Sequence, residues 1–307
     1  MTDSLPTFIA HHRPAVEAAL AEHLPLSSQP GADRMNEALH YAVFPGGKRW
    51  RPMLTLLGAL IVGGTVKRAL PAACAVEFLH TSSLILDDLP AMDDADLRRG
   101  RASLHIAFGE GIALLTALAL LNQAYALMAC AARDTAAMQR LLCEATRCIG
   151  SDGMIGGQVA DLESSPAFAD AAVMASRNLK TTALTRLMMT SGAIVAGANE
   201  TDIAALAHFG ESFGAAYQVC DDLMDETGER DALGKTVRQD GRHRRPSFVA
   251  DLGPEGSARL AASLIEAGKQ ALRERFGPRR EVYLLAQAAD FMLSSYVATR
   301  PAAFARS

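Results

Sequence analysis

Residues 77–100 read EFLHTSSLILDDLPAMDDADLRRG, an apolar segment that runs into a cluster of aspartates. The apolar residues recur with helical spacing, and Pro90 cannot continue a helix because its ring would clash with the carbonyl four residues earlier. We therefore predict a buried helix that ends at Asp87 and Asp88, with Asp93 after a short kink. The helix dipole disfavours carboxylates at this end, so their presence indicates a function rather than a contribution to stability.

A second aspartate cluster, Asp221-Asp222-Leu-Met-Asp225, follows another apolar run. Asp221 and Asp225 are four residues apart and share one face of a helix. Unpaired carboxylates near a core are costly, and magnesium, which prefers oxygen ligands and is usually held by carboxylates together with substrate phosphates, offsets that cost. Two such clusters that face each other could hold a diphosphate between them. The candidate metal ligands are Asp87, Asp88, Asp93, Asp221, Asp222 and Asp225.

The rest of the chain also has helical periodicity, and alternating strand patterns are scarce. Glycine and proline gather at a few junctions and do not form a linker. We predict an all-α fold, one large helical bundle over residues 1–307 around a central cavity. The predicted helices span residues 6–24, 31–44, 50–64, 67–88, 94–107, 110–131, 134–150, 169–197, 201–227, 255–275 and 281–298.

Composition limits the classes of partner and compartment. The net charge of -4 excludes a globally basic nucleic-acid binder. The five cysteines are odd in number and form no CxxC motif, which is typical of reduced thiols in a cytosolic protein. The N-terminus lacks the basic and then apolar form of a signal peptide. We therefore predict a cytoplasmic protein with no nucleic-acid partner.

One stretch, Gly111 to Ala132, carries no formal charge and is long enough to cross a membrane. Asn122, Gln123 and Tyr125 lie in its middle, and no basic segment follows it. A helix that is apolar nearly all round can instead be the centre of a large bundle. We predict a core helix and no integral membrane span, with a membrane protein as the alternative.

Five motifs occur in an order typical of one enzyme family. They are PGGKRWRPML, EFLHTSSLILDDLPAMDDADLRRG, GMIGGQVADL, NLKTTAL and AAYQVCDDLMDETGERDALGK. Over about residues 40–255 the chain resembles the trans-isoprenyl diphosphate synthases, and in particular bacterial geranylgeranyl diphosphate synthases of the carotenoid type. The resemblance implies that an allylic diphosphate ionises, that its carbocation alkylates isopentenyl diphosphate, and that a proton is then lost. A dry apolar cavity with a few dipoles suits such a cation.

The resemblance also implies roles for single residues. Asp87, Asp93 and Asp221 resemble magnesium ligands, with three ions expected when substrate is bound. The allylic diphosphate would contact Arg98, Lys180 and Lys235. The dipoles near the developing cation would be Thr181 and Gln218, with Gln158 and Asp161 close by. The isopentenyl diphosphate pocket would contain Lys48, Arg51, His80 and Arg99. The family is dimeric, so a homodimer is expected.

Two of these assignments have simpler structural explanations. His80 could be a satisfied core histidine, but it lies on the same helical stripe as Asp87, which favours a role in the site. The glycine pair at 46–47 could be an ordinary turn, but Lys48 and Arg51 follow it and suit an anion pocket at a helix N-terminus.

Product length in this family depends on the side chains below the first aspartate motif. Ser82 and Ser83 occupy these positions and are small. They lie roughly 6 to 8 Å deeper than Asp87 along a helix. The resemblance therefore implies prenyl diphosphate substrates and a twenty-carbon product, with a farnesyl diphosphate synthase as the alternative.

Two other classes of protein remain open. A class I terpene cyclase also ionises a diphosphate, but it needs no second diphosphate pocket, and the Lys48 motif and the Arg98-Arg99 pair argue against it. A catalytically silent subunit would be expected to lose its acidic motifs, and both are intact. One departure from the family is Arg245, where lysine is frequent; arginine keeps the charge but binds as a planar fork rather than as a point charge.

Overall fold

The computed structural model describes residues 4–163, 171–227 and 247–297, with side chains described in all of these except 171–177, 225–227 and 295–297. The predicted all-α fold is confirmed. The helices are α1 (Leu5–His23), α2 (Asp33–Val43), α3 (Trp50–Leu60), α4 (Val66–Asp87), α5 (Leu104–Phe108), α6 (Glu110–Ala131), α7 (Thr135–Ile149), α8 (Met154–Glu163), α9 (Ala171–Ala196), α10 (Glu200–Thr227), α11 (Phe248–Phe276) and α12 (Arg280–Val297). Strands β1 (Leu97–Arg98) and β2 (Arg101–Ala102) form one short antiparallel pair.

Side-chain caps set the starts of several helices. The hydroxyl of Thr65 accepts a hydrogen bond from the backbone N–H of Arg68 at the start of α4, and Ser247 does the same for Ala250 at the start of α11. Such caps satisfy N–H groups that have no partner within the helix, and each contributes about 1 kcal/mol. The capped α4 places the first aspartate motif at its opposite end.

Helix α9 lies at the centre of the bundle, packed against α3, α4, α8 and α10. Two glycines allow close crossings. A Cβ added to Gly192 would overlap the carbonyl oxygen of Thr55 in α3, and one added to Gly214 in α10 would overlap the hydroxyl of Thr185. Because interiors are packed to high density, neither position tolerates a side chain without movement of a helix. The crossing at Gly214 brings α9 close to α10, which carries the second aspartate motif, and α9 also contacts α4, which carries the first.

The predicted helix over 94–107 is wrong. The segment instead forms the hairpin of β1 and β2, followed by the short α5. Arg99 and Gly100 turn the chain with φ of 55° and 74°, and Asp94 has φ of 48°. Left-handed backbone at these positions interrupts a right-handed helix.

Helix α8 was not predicted, because its first residues belong to a glycine-rich stretch that indicates a turn. Gly157 packs directly on the backbone of Leu179 and Lys180 in α9, where a Cβ would clash. Tertiary packing therefore overrides the low helix propensity of glycine here.

The apolar stretch predicted as a core helix forms α6, and only one of its faces is buried. Leu114, Leu115 and Leu118 are 42%, 55% and 55% exposed. Both α4 and α6 are long and apolar enough to cross a membrane by length and composition, which is weak support for a span because the core helices of soluble proteins meet the same criteria. Most of the apolar window of α4 is packed inside the protein.

Candidate active site

The first aspartate motif folds back on the end of α4. Asp87 is the last residue of the helix, and its carbonyl oxygen accepts a hydrogen bond of 2.9 Å from the N–H of Asp93. The N–H of Asp94 donates to the carbonyl of Leu89 at 3.1 Å. The predicted kink after the helix is thereby confirmed, and it brings the carboxylate-bearing residues 87 and 93 close together.

Asp87 faces a cation from α9. Its Oδ2 lies 3.2 Å from Nζ of Lys180. Burial raises the pKa of Asp87, the charge of Lys180 lowers it, and the nearby Asp93 raises it again, with a net upward shift. A desolvated carboxylate beside a second one is stabilised by added positive charge. The sequence-predicted residues Asp87, Asp93 and Lys180 therefore share one electrostatic environment.

Asp88 points to the hairpin and has a different partner. Its carboxylate accepts hydrogen bonds of 3.0 Å from Nε of Arg98 and a further bond from the Nη2 atom. Burial opposes the charge of Arg98, but the hydrogen bonds to Asp88 and its charge raise the arginine pKa above its usual value. Asp88 is 2% exposed. It positions Arg98 beside the first motif, since a bidentate pair fixes the plane of the guanidinium.

The first two aspartates of the second motif also differ in burial and in partners. Asp221 is partly exposed, whereas Asp222 is 3% exposed. The Oδ1 atom of Asp222 accepts from Nε2 of Gln218 at 2.9 Å, and Oδ2 accepts from the N–H of Phe248 at 3.0 Å. Asp222 thus links α10 to the start of α11. The side chain of Asp225 lies outside the described residues.

The two predicted dipoles are in contact. The hydroxyl of Thr181 donates to Oε1 of Gln218 at 3.2 Å. Thr181 follows Lys180, which reaches Asp87 of the first motif, while Gln218 is bound to Asp222 of the second. Residues 180 and 181 of α9 therefore connect the two aspartate motifs.

The predicted isopentenyl diphosphate residues lie on a cationic cluster. Burial lowers the pKa of Arg99 and Glu77 raises it, while the charges of Arg51, Arg49 and Arg98 lower it further, with a net downward shift. Nε of Arg51 is buried without a hydrogen-bond partner in the described structure. A buried donor without an acceptor is costly, so this cluster suits an anion.

Two other members of that predicted pocket differ in burial. Lys48 is exposed, with Nζ 5.5 Å from the ring centre of Phe291. His80 is buried in α4 at 6% exposure. Gly47 lies against Arg99, where an added Cβ would be 3.5 Å from the guanidinium carbon. The glycine pair therefore leaves room for arginine side chains.

Arg49 was not among the predicted site residues, yet it organises the loop between α2 and α3. It is fully buried, with Nη1 2.6 Å from Oε1 of Glu77 and Nη2 3.0 Å from Oε2 of Glu17. Nη2 also donates to the carbonyl of Val43 at 2.8 Å. Its backbone φ is 55°. The available signal was Glu77, a charge inside an apolar helix that requires a buried partner.

Ser82 and Ser83 differ in surroundings. Ser82 is 3% exposed, and its hydroxyl donates to the carbonyl of Ala117 in α6 at 2.9 Å. Ser83 is partly exposed, one turn before Asp87, with its hydroxyl bonded to the carbonyl of His80 at 2.9 Å. Ser82 therefore contacts the neighbouring helix, while Ser83 shares the stripe of Asp87.

Helix α8 brings a further polar pair to the site. Nε2 of Gln158 contacts Sδ of Met92 at 3.7 Å, next to the first motif, and its Oε1 is buried without a partner in the described structure. Asp161 is 8% exposed. Gly157 packs on the backbone of Lys180, so α8 lies against the part of α9 that carries Thr181.

The described residues contain no group of three or more His, Cys, Asp or Glu side chains that could hold a metal ion by themselves. Magnesium commonly binds one or two carboxylates and completes its shell with water and phosphate oxygens. The first-position carboxylates of the two motifs, Asp87 and Asp221, together with Asp93, fit that pattern. Lys235 and Arg245 lie outside the described residues.

Comparisons with known proteins identify the family of this chain. Residues 32–271 match the family model described as polyprenyl synthetase. The chloroplastic geranylgeranyl pyrophosphate synthase of Catharanthus roseus is 38% identical over 272 residues, covering 87% of this chain and 74% of the relative. The farnesyl diphosphate synthase of Bacillus subtilis (strain 168) is 35% identical over 261 residues, covering 84% of this chain and 88% of the relative.

Solved structures with the same fold are also similar to this chain. An apo FPP/GFPP synthase from Zymomonas mobilis matches with a TM-score of 0.82 and 29% identity over 94% of this chain and 98% of that one. A geranyltransferase from Helicobacter pylori, complexed with magnesium and isoprenyl diphosphate, matches with a TM-score of 0.80 and 26% identity over 98% and 99% of the two chains. The family model covers most of the chain, and both relatives align over most of their length, so this protein belongs to the polyprenyl synthetase family, the trans-prenyl diphosphate synthases.

Proposed function

We propose that the protein condenses isopentenyl diphosphate with allylic diphosphates (dimethylallyl, geranyl and farnesyl) to give geranylgeranyl diphosphate. The observation that carries this proposal is the pairing of two unlike anion sites, an aspartate site around Asp87 and Asp221 and an arginine site around Arg51 and Arg99. A reaction that joins two diphosphates needs both. A cyclase would need only the first.

The aspartate site would take the allylic diphosphate. Lys180 and Arg98 already lie beside the first motif and would bind the phosphate oxygens. We infer that magnesium, with three ions when substrate is bound, joins this diphosphate to Asp87, Asp93 and Asp221. The metal would neutralise the charge that develops on the departing diphosphate. The presence of magnesium in the Helicobacter pylori complex supports the use of this metal.

The protein's own groups would do the rest. The allylic C–O bond breaks, diphosphate leaves with the electron pair, and the cation bonds to the terminal alkene carbon of isopentenyl diphosphate. Loss of a proton from that unit restores a double bond. Thr181 and Gln218 would present their oxygen dipoles to the cation, and Arg51 and Arg99 would hold the second diphosphate in place.

The small side chains of Ser82 and Ser83 support the twenty-carbon product. The similarity to the geranylgeranyl pyrophosphate synthase of Catharanthus roseus supports the same product length. The similarity to the farnesyl diphosphate synthase of Bacillus subtilis supports a fifteen-carbon product instead. The experiment supplies isopentenyl diphosphate with each primer, with and without magnesium, and identifies the prenyl alcohols after dephosphorylation. Geranylgeraniol that depends on magnesium supports the proposal. Farnesol as the only product would overturn the proposed product length. The absence of any elongated product would overturn the proposed reaction.

We further infer a homodimer of single-domain chains. The exposed apolar face of α6, with Leu114, Leu115 and Leu118, would be covered by the same face of a second copy. A charge placed there, as in Leu115→Glu, is expected to give monomers by sedimentation, whereas an unchanged dimer would contradict this surface. The five unpaired cysteines support a cytoplasmic location, which fractionation of the host cells would test.

A further inference from the structure

We propose that Asp222 is a positioning residue that sets the direction of a hydrogen-bond chain through Gln218 to Thr181. In that direction the Thr181 oxygen offers lone pairs, and no proton, to the allylic carbon as it becomes positive. The inference rests on the proposed function, because it concerns the ionisation step of that reaction. It assigns Asp222 a role other than magnesium ligand.

The hydrogen-bond chain begins at Asp222, whose carboxylate can only accept hydrogen bonds. Asp222 is 3% exposed, and each of its two oxygens receives an N–H, one from Gln218 at 2.9 Å and one from Phe248 at 3.0 Å. An ionised carboxylate has no proton to donate. The amide of Gln218 must therefore turn its Nε2 to Asp222, because the reverse orientation would place two acceptors against each other.

The orientation of the amide then fixes the hydroxyl. With Nε2 held by Asp222, Oε1 of Gln218 faces Thr181 and receives the hydroxyl proton at 3.2 Å. A threonine hydroxyl has one proton and two lone pairs. Since the proton is used, the remaining valences of this oxygen are acceptors. A lone pair stabilises adjacent positive charge, whereas an O–H directed at it would oppose ionisation.

The position of Thr181 makes this polarity relevant to the reaction. Thr181 follows Lys180, whose ammonium contacts Asp87 of the first motif at 3.2 Å. Thr181 is therefore next in sequence to the residue that would bind the allylic diphosphate, and its contact with Gln218 places its oxygen on the side of α9 that faces α10. Hydrogen bonds in a series polarise one another, so a charge at Asp222 strengthens the dipole at Thr181.

The first motif shows the same division between its paired aspartates. Asp88 is buried and orients Arg98, while Asp87 faces Lys180. Asp222 is buried and orients Gln218, while Asp221 is more exposed. In each pair the second aspartate holds a neighbouring polar side chain, which favours positioning over metal binding for Asp222.

The deciding variant is Asp222→Asn, which keeps the shape of the side chain and reverses the direction of the hydrogen-bond chain. The new amide oxygen can still accept from the N–H of Phe248, but the new NH2 must donate to Oε1 of Gln218. The amide of Gln218 then flips, its Nε2 donates to Thr181, and the hydroxyl proton is released toward the substrate. We expect kcat to fall by about 100-fold or more, with the KM for isopentenyl diphosphate within about threefold of wild type.

A second substitution tests direction separately from structure. In Asp222→Asn combined with Gln218→Glu, the carboxylate at position 218 accepts from both neighbours and again takes the proton of Thr181. We expect this pair to recover about tenfold or more of the lost kcat. Two other roles for Asp222 predict a different result. A mere anchor for α11 predicts no recovery, and a metal ligand predicts a higher magnesium concentration for half-maximal rate in Asp222→Asn.

Thr181→Val covers the case in which the variants of Asp222 fail to fold, which circular dichroism and thermal melting would reveal. It removes the acceptor oxygen with little change in shape, and we expect a similar loss of kcat, about 100-fold. A kcat within about threefold of wild type for Thr181→Val or for a folded Asp222→Asn overturns the proposal, as does a raised magnesium requirement without recovery in the double variant. Each kcat is expressed as a ratio to the wild-type rate of elongation, whatever the length of the product. A wild type that elongates no primer therefore refutes the proposed function and, because the inference rests on that reaction, the inference with it.

Discussion

The ammonium of Lys180 lies 3.2 Å from Oδ2 of Asp87 and joins the middle of the bundle to the end of α4. Asp87 has a raised pKa because it is buried, and Lys180 partly offsets that cost. The pair therefore places a cation and an anion in a partly buried site. A substrate phosphate could bind Lys180 and a metal ion could bind Asp87 in place of the direct contact between them.

Lys180→Met removes the cation that would bind the allylic diphosphate. A charged hydrogen bond is worth about 1.5–3 kcal/mol, so we expect the KM for the allylic substrate to rise by about 10- to 100-fold. The KM for isopentenyl diphosphate should change little. Steady-state kinetics with each substrate varied in turn provide the measurement. Lys67→Met, at an exposed lysine in the first turn of α4, is the matched control; equal effects in both variants would contradict the assignment.

Asp87→Ala and Asp221→Ala are expected to reduce turnover by at least about 100-fold while the protein stays folded, because metal-assisted departure of diphosphate is lost. Rates at saturating magnesium and circular dichroism provide the two readouts. Asp251→Ala, which removes an exposed carboxylate from α11, should keep the wild-type rate. Near-normal turnover in both motif variants would refute the two-motif account.

Arg99→Ala and Arg49→Ala should have different effects although both arginines belong to one cluster. Arg99 has like charges around it, so its removal should mainly raise the KM for isopentenyl diphosphate. Arg49 is buried with Glu77 and Glu17, and breaking a buried pair costs about 3–5 kcal/mol. We therefore expect Arg49→Ala to lower the free energy of unfolding, measured in urea. Reversed phenotypes would show that the two roles are exchanged.

Ser82→Phe and Ser83→Phe should both shift the product toward fifteen carbons, because an aromatic ring below Asp87 would block growth of the chain. The Ser82 variant should also lose stability, since it breaks the bond to Ala117 and overpacks the contact with α6, at a cost of about 1–3 kcal/mol. Product analysis and thermal melting distinguish the two effects. Ser83→Ala serves as the size-matched control. If neither aromatic variant shortens the product, another layer of residues sets its length.

Stability should fall at alkaline pH because three thiols are buried. Burial raises the pKa of Cys74, Cys148 and Cys220 to about 12, whereas an unfolded thiol titrates near about 8.5. The folded state thus holds these protons more tightly. Their stabilisation is complete below the unfolded pKa and is lost as pH rises toward 12, by about 1.4 kcal/mol per pH unit for each thiol. Urea unfolding between about pH 8 and 10.5 should therefore be less pH-dependent in Cys74→Ala. Identical slopes would contradict this.

Much of the fold could be predicted because long helices with periodic apolar faces leave a strong signal. The helices that carry Asp87, Lys180 and Asp221 were predicted close to their observed bounds. The hairpin at Arg98 to Arg101 was missed because its turn depends on left-handed backbone at a non-glycine residue. Helix α8 was missed because its glycines favour a turn locally and are helical only through contact with α9.

The site followed a similar rule. Chemistry-bearing motifs predict which residues bind the substrate, and the structure shows Lys180 in contact with Asp87 and Thr181 in contact with Gln218. The inward orientation of Asp88 and Asp222 was not predictable, because the sequence gives both members of an aspartate pair the same residue type. Burial and hydrogen bonds distinguish them, and these arise only from tertiary packing.

Calorimetry can show whether two diphosphates occupy two unlike sites, as we propose. Wild-type protein would be titrated with isopentenyl diphosphate and, separately, with an allylic thiolodiphosphate that does not ionise, each with and without magnesium. We expect the allylic analogue to bind only with magnesium, because the aspartates repel it, and isopentenyl diphosphate to bind to the arginine cluster without the metal. Competition for one site, or equal dependence of both ligands on magnesium, would contradict it.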